Sequence, residues 1–199
     1  MAADPREQAL TYLREQLGTA APTTLEEFGH FEDSPLEGEG AVTLYRFAAA
    51  VGGVELASYI VAAGETEPNY YPAYDLSPEE AYHLHLGTRF MLVVGVSQMP
   101  AADVPPGELE RLASLVRGVV PDRTVSELTL LTAFRVEDGR HLVARGSIDG
   151  HEVYLLGGDM PLGFYQRLSL PPQVVYRIHL GQVLRLEPSE SGPGEEEQP

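Results

Sequence analysis

Residues 64–87 lie over residues 158–181 without a gap at an offset of 94, and eight of the 24 positions are identical. The matches are Gly64/Gly158, Tyr71/Tyr165, Leu76/Leu170, Pro78/Pro172, Tyr82/Tyr176, His85/His179, Leu86/Leu180 and Gly87/Gly181, with Tyr70 over Phe164 as a further aromatic match. Upstream, Thr43–Arg46 falls over Thr132–Arg135 at an offset of 89, the shift being assigned to the intervening hairpin. A unit of about 55 residues buries too little of its own surface to stand alone, so two copies are expected to share one core. The expected fold is therefore α+β: tandem β-hairpin–loop–short helix–strand units packed as one pseudo-twofold domain, with an N-terminal helix and a connecting helix.

Local signals divide the chain into 1–39 (helix and acidic linker), 40–99 (first unit), 100–128 (connector with an amphipathic helix), 129–186 (second unit) and 187–199 (an acidic tail). Asp4-Pro5 followed by Glu7 starts a helix, Ala9, Leu10, Leu13 and Leu17 continue its apolar face, and Gly18 ends it. One helical turn is expected at 25–28. Strands are expected at 41–50 and 54–63, joined near Gly52-Gly53. Ser77-Pro78 opens a short helix that should end at Gly87, with a strand at 88–96 behind it. Leu109, Leu112, Leu115 and Val116 mark the connecting helix. The second unit reads as strands 130–136, 141–147 and 151–156 around turns at Asp138-Gly139 and Asp149-Gly150. A helix from Pro172 to Leu180 capped by Gly181 should follow, then a strand at 182–186. The tail, rich in Ser, Gly, Pro and Glu, has the composition of a disordered segment.

Composition narrows the chemistry. The 199 residues hold 13 basic side chains, every one an Arg, against 30 acidic ones, for a net charge of −17. With no Lys and no Cys, Schiff-base and thiol catalysis, disulfides and thiolate metal sites are excluded. The missing Lys and the single Asn69 fit a GC-rich, bacterial codon bias. So acidic a chain is no general nucleic-acid binder, because phosphate affinity comes from Lys and Arg. No apolar run reaches the roughly 18 residues of a membrane span and the N-terminus does not resemble a signal peptide, so a cytoplasmic protein is expected. The acids concentrate at 26–39 (net −6) and 187–199 (net −5), whereas 129–186 carries +1. Its six Arg are expected to pair with acids across the sheet or between units.

The repeated Tyr-x-x-His-Leu-Gly is the leading candidate for chemistry. Tyr82 and His85 share a helix face, as do Tyr176 and His179, and such a pair can serve as acid and base. Retention in both copies favours a structural role, since catalysis rarely needs two. Glu79, His83 and His85 cluster in sequence, but His83 and His85 point about 200° apart on an ideal helix and the second unit has Gln173 and Arg177 instead, so no metal is assigned. The loop 69–75 offers Tyr70, Tyr74 and Asp75 as a stacking surface, with His83 beside it. No nucleophile elbow, Walker loop or dinucleotide motif occurs, so no cofactor is assigned. The expected function is a non-catalytic interaction or accessory module engaging a protein partner with a basic surface, and self-association is compatible with it. The alternative is a small-molecule binder or hydrolase-like enzyme with its site at Tyr70–Asp75 and the His83/His85 helix end.

Overall fold

The structure, a computed structural model, describes residues 4–36, 40–50, 57–65, 67–137 and 139–186. It is α+β, with four α-helices and two antiparallel sheets among the described residues. In chain order they are α1 (Pro5–Leu17), β1 (Glu26–Phe31), β2 (Val42–Ala49), β3 (Ala57–Gly64), β4 (Asn69–Pro72), α2 (Pro78–Val94) and β5 (Ser97–Met99). Then follow α3 (Glu108–Val119), β6 (Thr129–Val136), β7 (Gly139–Ile148), β8 (His151–Gly158), β9 (Gly163–Tyr165) and α4 (Pro172–Leu186). One sheet has the order β1-β2-β3-β4, the other β5-β6-β7-β8-β9.

Each sheet is covered on both faces, which is why its strands read as almost continuous apolar runs. Along β2 and β3, Leu44, Ile60 and Ala62 point into the central core, while Tyr45, Val61 and Ala63 face α1 through Ala9 and Leu13. Along β7 and β8, Val143, Tyr154 and Leu156 point to that same central core, while Leu142, Ala144 and Leu155 face α3 through Leu112, Ala113 and Val116. The layers thus run α1, sheet, the pair α2 and α4, sheet, α3. The helix α1 begins as expected: the Asp4 side chain accepts from the Arg6 amide at 3.0 Å, Pro5 takes the first turn, and Gly18 follows the last residue.

Four sequence expectations change. Residues 25–28 form no helical turn; Glu26–Phe31 is a strand paired with β2, so the first two acids of the acidic stretch, Glu26 and Glu27, lie in the sheet. Gly87 and Gly181 end no helix: α2 continues to Val94 and is capped by Gly95 in the left-handed region (φ 74°), and α4 continues to Leu186. The strands expected at 88–96 and 182–186 are therefore the second halves of these helices. Phe90–Val94 is apolar at every position although Leu92 and Val93 are exposed (66% and 74%), so this half of α2 lacks the polar alternation that marks a surface helix and looks like strand. The upstream alignment also shifts. Val42 pairs with Gly64 and His141 with Gly158, so Arg46 (opposite Ile60) matches Arg145 (opposite Tyr154) on β7, while Thr132–Arg135 lies on β6 in the place of β1. Residues 51–56, Asp138 and 187–199, where the Gly52-Gly53 turn, half of the Asp138-Gly139 turn and the acidic tail were expected, lie outside the described residues.

The two long helices meet at the repeated glycines. A Cβ on Gly87 would stand 2.0 Å from the Arg177 carbonyl oxygen, and one on Gly181 would stand 2.0 Å from the His83 carbonyl oxygen. Arg177 and His83 are themselves 94 apart, so the two contacts are reciprocal. The glycines let the backbones touch, and the helices cross antiparallel, with Glu79 near the start of α2 beside Arg185 near the end of α4 at 3.3 Å.

Candidate functional site

The crossing places both Tyr/His pairs of the repeated motif inside the protein. The hydroxyl of Tyr71, from β4, lies 3.1 Å from His85 Nδ1, and that of Tyr165, from β9, lies 2.9 Å from His179 Nδ1. In each unit the bond ties the last strand to the long helix. Thr88 and Gln182, again 94 apart, adjoin the same two hydroxyls: the Tyr165 hydroxyl meets the Gln182 side-chain amide, and hydrogen bonding with Thr88 favours Tyr71 ionisation against its burial. The other repeated tyrosines have separate partners. Tyr82 donates to the Asp33 carbonyl at 2.8 Å and stacks on Phe31 at 4.0 Å; Tyr176 bonds His141 Nδ1 at 2.8 Å and stacks on Phe134 at 3.8 Å.

So Tyr82 and His85, expected to share one face of a helix, each bond to a different element, and the tyrosine that His85 meets is Tyr71. Burial pushes Tyr71, Tyr165 and Tyr176 above the usual phenol range. It depresses His85 to about 4, with the Arg89 guanidinium adding to the effect, and lowers His141 and His179 as well. These imidazoles stay neutral at pH 7 and serve as hydrogen-bonding struts.

The loop residues separate. Tyr70 points to the outer face, where it meets Tyr12, Phe47 and Tyr59 beneath α1, while Tyr71 points inward. Tyr74 and Asp75 occupy left-handed backbone (φ 46° and 54°), and Tyr74 packs against the central core. Their carbonyls accept from Arg167 at 3.2 and 3.1 Å, and the same guanidinium holds both Glu80 oxygens at 2.7 and 2.8 Å. Burial works against ionisation of Glu80, but bonds from the Ser77 amide and Arg167 outweigh it and hold the carboxyl below its usual range. The capping box of α2 is thereby locked to the second unit. Arg167–Glu80, Arg185–Glu79 and, across one sheet, Arg145–Glu152 are the ion pairs expected of the second-half arginines.

Among the concave surfaces of the described residues, two bring acidic side chains together with Tyr12 or with His83. The larger, of about 600 Å³, lies along α1 and is lined by Glu7, Gln8, Thr11, Tyr12, Glu15, Glu67 and Pro68, so it holds three carboxylates and the half-buried Tyr12. Nothing in the periodicity of α1 marked it, because Glu67 arrives from the distant β3–β4 connection. The second, of about 420 Å³, lies between the start of α2 and the end of α4, lined by Glu79, His83, Gln182, Arg185 and Leu186. His83 is thus in a groove, but Tyr70, Tyr74 and His85 are not with it. Desolvation and then Arg185 lower the His83 pKa against the pull of Glu79 and Glu80. No three His, Asp or Glu side chains among the described residues cluster to hold a metal ion, and no helix among them is long and apolar enough to cross a membrane. The chain matches no protein-family model, no curated protein and no solved structure.

Proposed function

We propose that this protein is a non-catalytic interaction module whose partner presents Lys and Arg side chains to the surface over α1. The observation that carries this reading is the groove lined by Glu7, Glu15, Glu67 and Tyr12, on a chain of net charge −17. A cationic side chain entering there gains carboxylate partners and an aromatic face together, and the surrounding negative field speeds encounter with a basic surface. The acid–base residues of the repeat, by contrast, are occupied in the core. The two units are read as copies of one ancestral unit about a pseudo-twofold axis, supported by the reciprocal glycine contacts and the matched Tyr–His bonds. A cytoplasmic setting belongs to the same reading.

The test is a pull-down with the wild-type chain and the triple variant Glu7→Gln/Glu15→Gln/Glu67→Gln, at low and high salt. The expected result is a basic protein retained by the wild type at low salt, released as screening shortens to about 3 Å near 1 M salt, and lost by the triple variant. If nothing is captured at any salt, or if the triple variant captures the same protein equally, the proposal fails.

A further inference from the structure

We propose that the groove between the start of α2 and the end of α4 binds a small monocarboxylate, its anionic head against Arg185 and His83 and its apolar part along Leu186. This site is separate from the partner surface over α1 and stands independently of it.

The groove is where the two units stop matching. At an offset of 94, Glu79, His83 and Gln182 correspond to Gln173, Arg177 and Thr88, and Arg185 corresponds to Met91. Of these, Gln182 is engaged by the Tyr165 hydroxyl, so His83 and Arg185 are the unmatched side chains left to meet a ligand. His83 is only 7% exposed, yet it lines the groove and its Nδ1 is buried without a hydrogen-bond partner. A buried N–H with no acceptor is less tolerable than a bare ring nitrogen, so the neutral imidazole keeps its proton on Nε2, which becomes a donor for a molecule in the groove.

Arg185 supplies the charge. Its link to Glu79 is long, at 3.3 Å, and Glu79 is largely exposed, so an incoming carboxylate displaces a pair of little strength. The planar guanidinium matches a carboxylate in two-pronged geometry. One guanidinium beside a neutral imidazole balances a single negative charge. A dianionic phosphate would be left under-neutralised in a protein already at −17, so a monoanion is the better fit. Leu186, 81% exposed at the groove's edge, offers the apolar part of the ligand a surface.

The experiment is a side-chain NMR titration of the whole chain labelled with ¹⁵N-histidine, using sodium 4-methylpentanoate, acetate and inorganic phosphate as separate probes. The expected result is a saturable shift of the His83 resonances with 4-methylpentanoate, half-complete at about 1 mM. Acetate should bind more weakly, because it lacks the apolar part. Arg185→Gln should weaken 4-methylpentanoate binding about tenfold. Leu186→Asp, at an exposed position that leaves the core untouched, should weaken it too. No saturable shift up to about 20 mM, on the millimolar scale of weak binding, would overturn the proposal. So would undiminished binding by both variants, or phosphate binding more tightly than the carboxylates.

Discussion

His85 and His179 occupy the same place in the two units, yet they are satisfied differently. Each ring meets a tyrosine hydroxyl through Nδ1, but His179 Nε2 also bonds the Pro161 carbonyl at 2.8 Å, whereas His85 Nε2 is buried with no partner. The shared half of the arrangement is what the fold requires: a bond from the last strand to the long helix, beside the glycine at which the helices cross. The unshared half depends on the local loop. Pro161 lies in the short connection between β8 and β9, and His85 has no equivalent carbonyl at its far nitrogen. A repeated motif therefore marks a common geometric demand without implying equal energetics in the two copies.

The largest effect is expected where the units are most alike. Gly87→Ala and Gly181→Ala each place a methyl group 2.0 Å from a backbone carbonyl of the other helix, and only separation of α2 from α4 relieves the clash. Each should cost about 3 kcal/mol or more, and the two losses should be similar. Gly118→Ala, in α3 with nothing within 4 Å of its Cβ, should instead stabilise by roughly 0.5–1 kcal/mol. Denaturant unfolding of the three variants checks this. A harmless Gly87→Ala would remove the crossing from the account of the motif, and a large difference between the two glycines would end its reciprocity.

Acid should separate the two histidines next. A folded-state pKa below the ordinary value means that the unfolded chain binds the proton more tightly, so stability is full above about pH 6.5 and falls as pH drops. For His85 the decline continues to its folded value of about 4, and the interval corresponds to about 3 kcal/mol. His85→Leu should remove that part of the acid loss, and His179→Leu a smaller part. Unfolding free energies measured across this range in wild type and both variants decide the point. An unchanged acid slope in His85→Leu would show that carboxylate protonation elsewhere accounts for the loss.

Much of this architecture can be read from residues alone, and the failures have a common cause. The cap at Asp4-Pro5, the capping box at Ser77–Glu80, the turn at Asp149-Gly150 and the offset of 94 are local or repetitive, so they survive in one dimension. The long helices do not: Ala81–Gly87 is buried on every side, and Phe90–Val94 is apolar at every position although Leu92 and Val93 face solvent, so neither half of α2 shows the apolar–polar alternation that announces a helix. Gly87 and Gly181 then look like caps, when each is instead a point of backbone contact with a helix 94 residues away. The short strands β4, β5 and β9 are defined by their partners more than by their own residues. The partly legible site has the same history: Glu79 and His83 stand one turn apart, but Gln182 and Arg185 reach them only through the crossing.

The smallest effect, and the most direct probe of the opening contrast, is the exchange of each histidine for leucine at neutral pH, where both rings are uncharged. The two substitutions change side-chain volume alike, so packing losses largely cancel between them. His179→Leu strands the Pro161 carbonyl and takes one partner from Tyr165. His85→Leu takes one partner from Tyr71 but also removes a buried nitrogen that had none. His179→Leu should therefore be the more destabilising by about 1 kcal/mol, the scale of one buried group left unpaired. Paired denaturation curves at pH 7.5 measure that difference. Equal losses would mean that the Pro161 bond contributes nothing net, and a larger loss for His85→Leu would show that the imidazole of the first unit is held by packing alone.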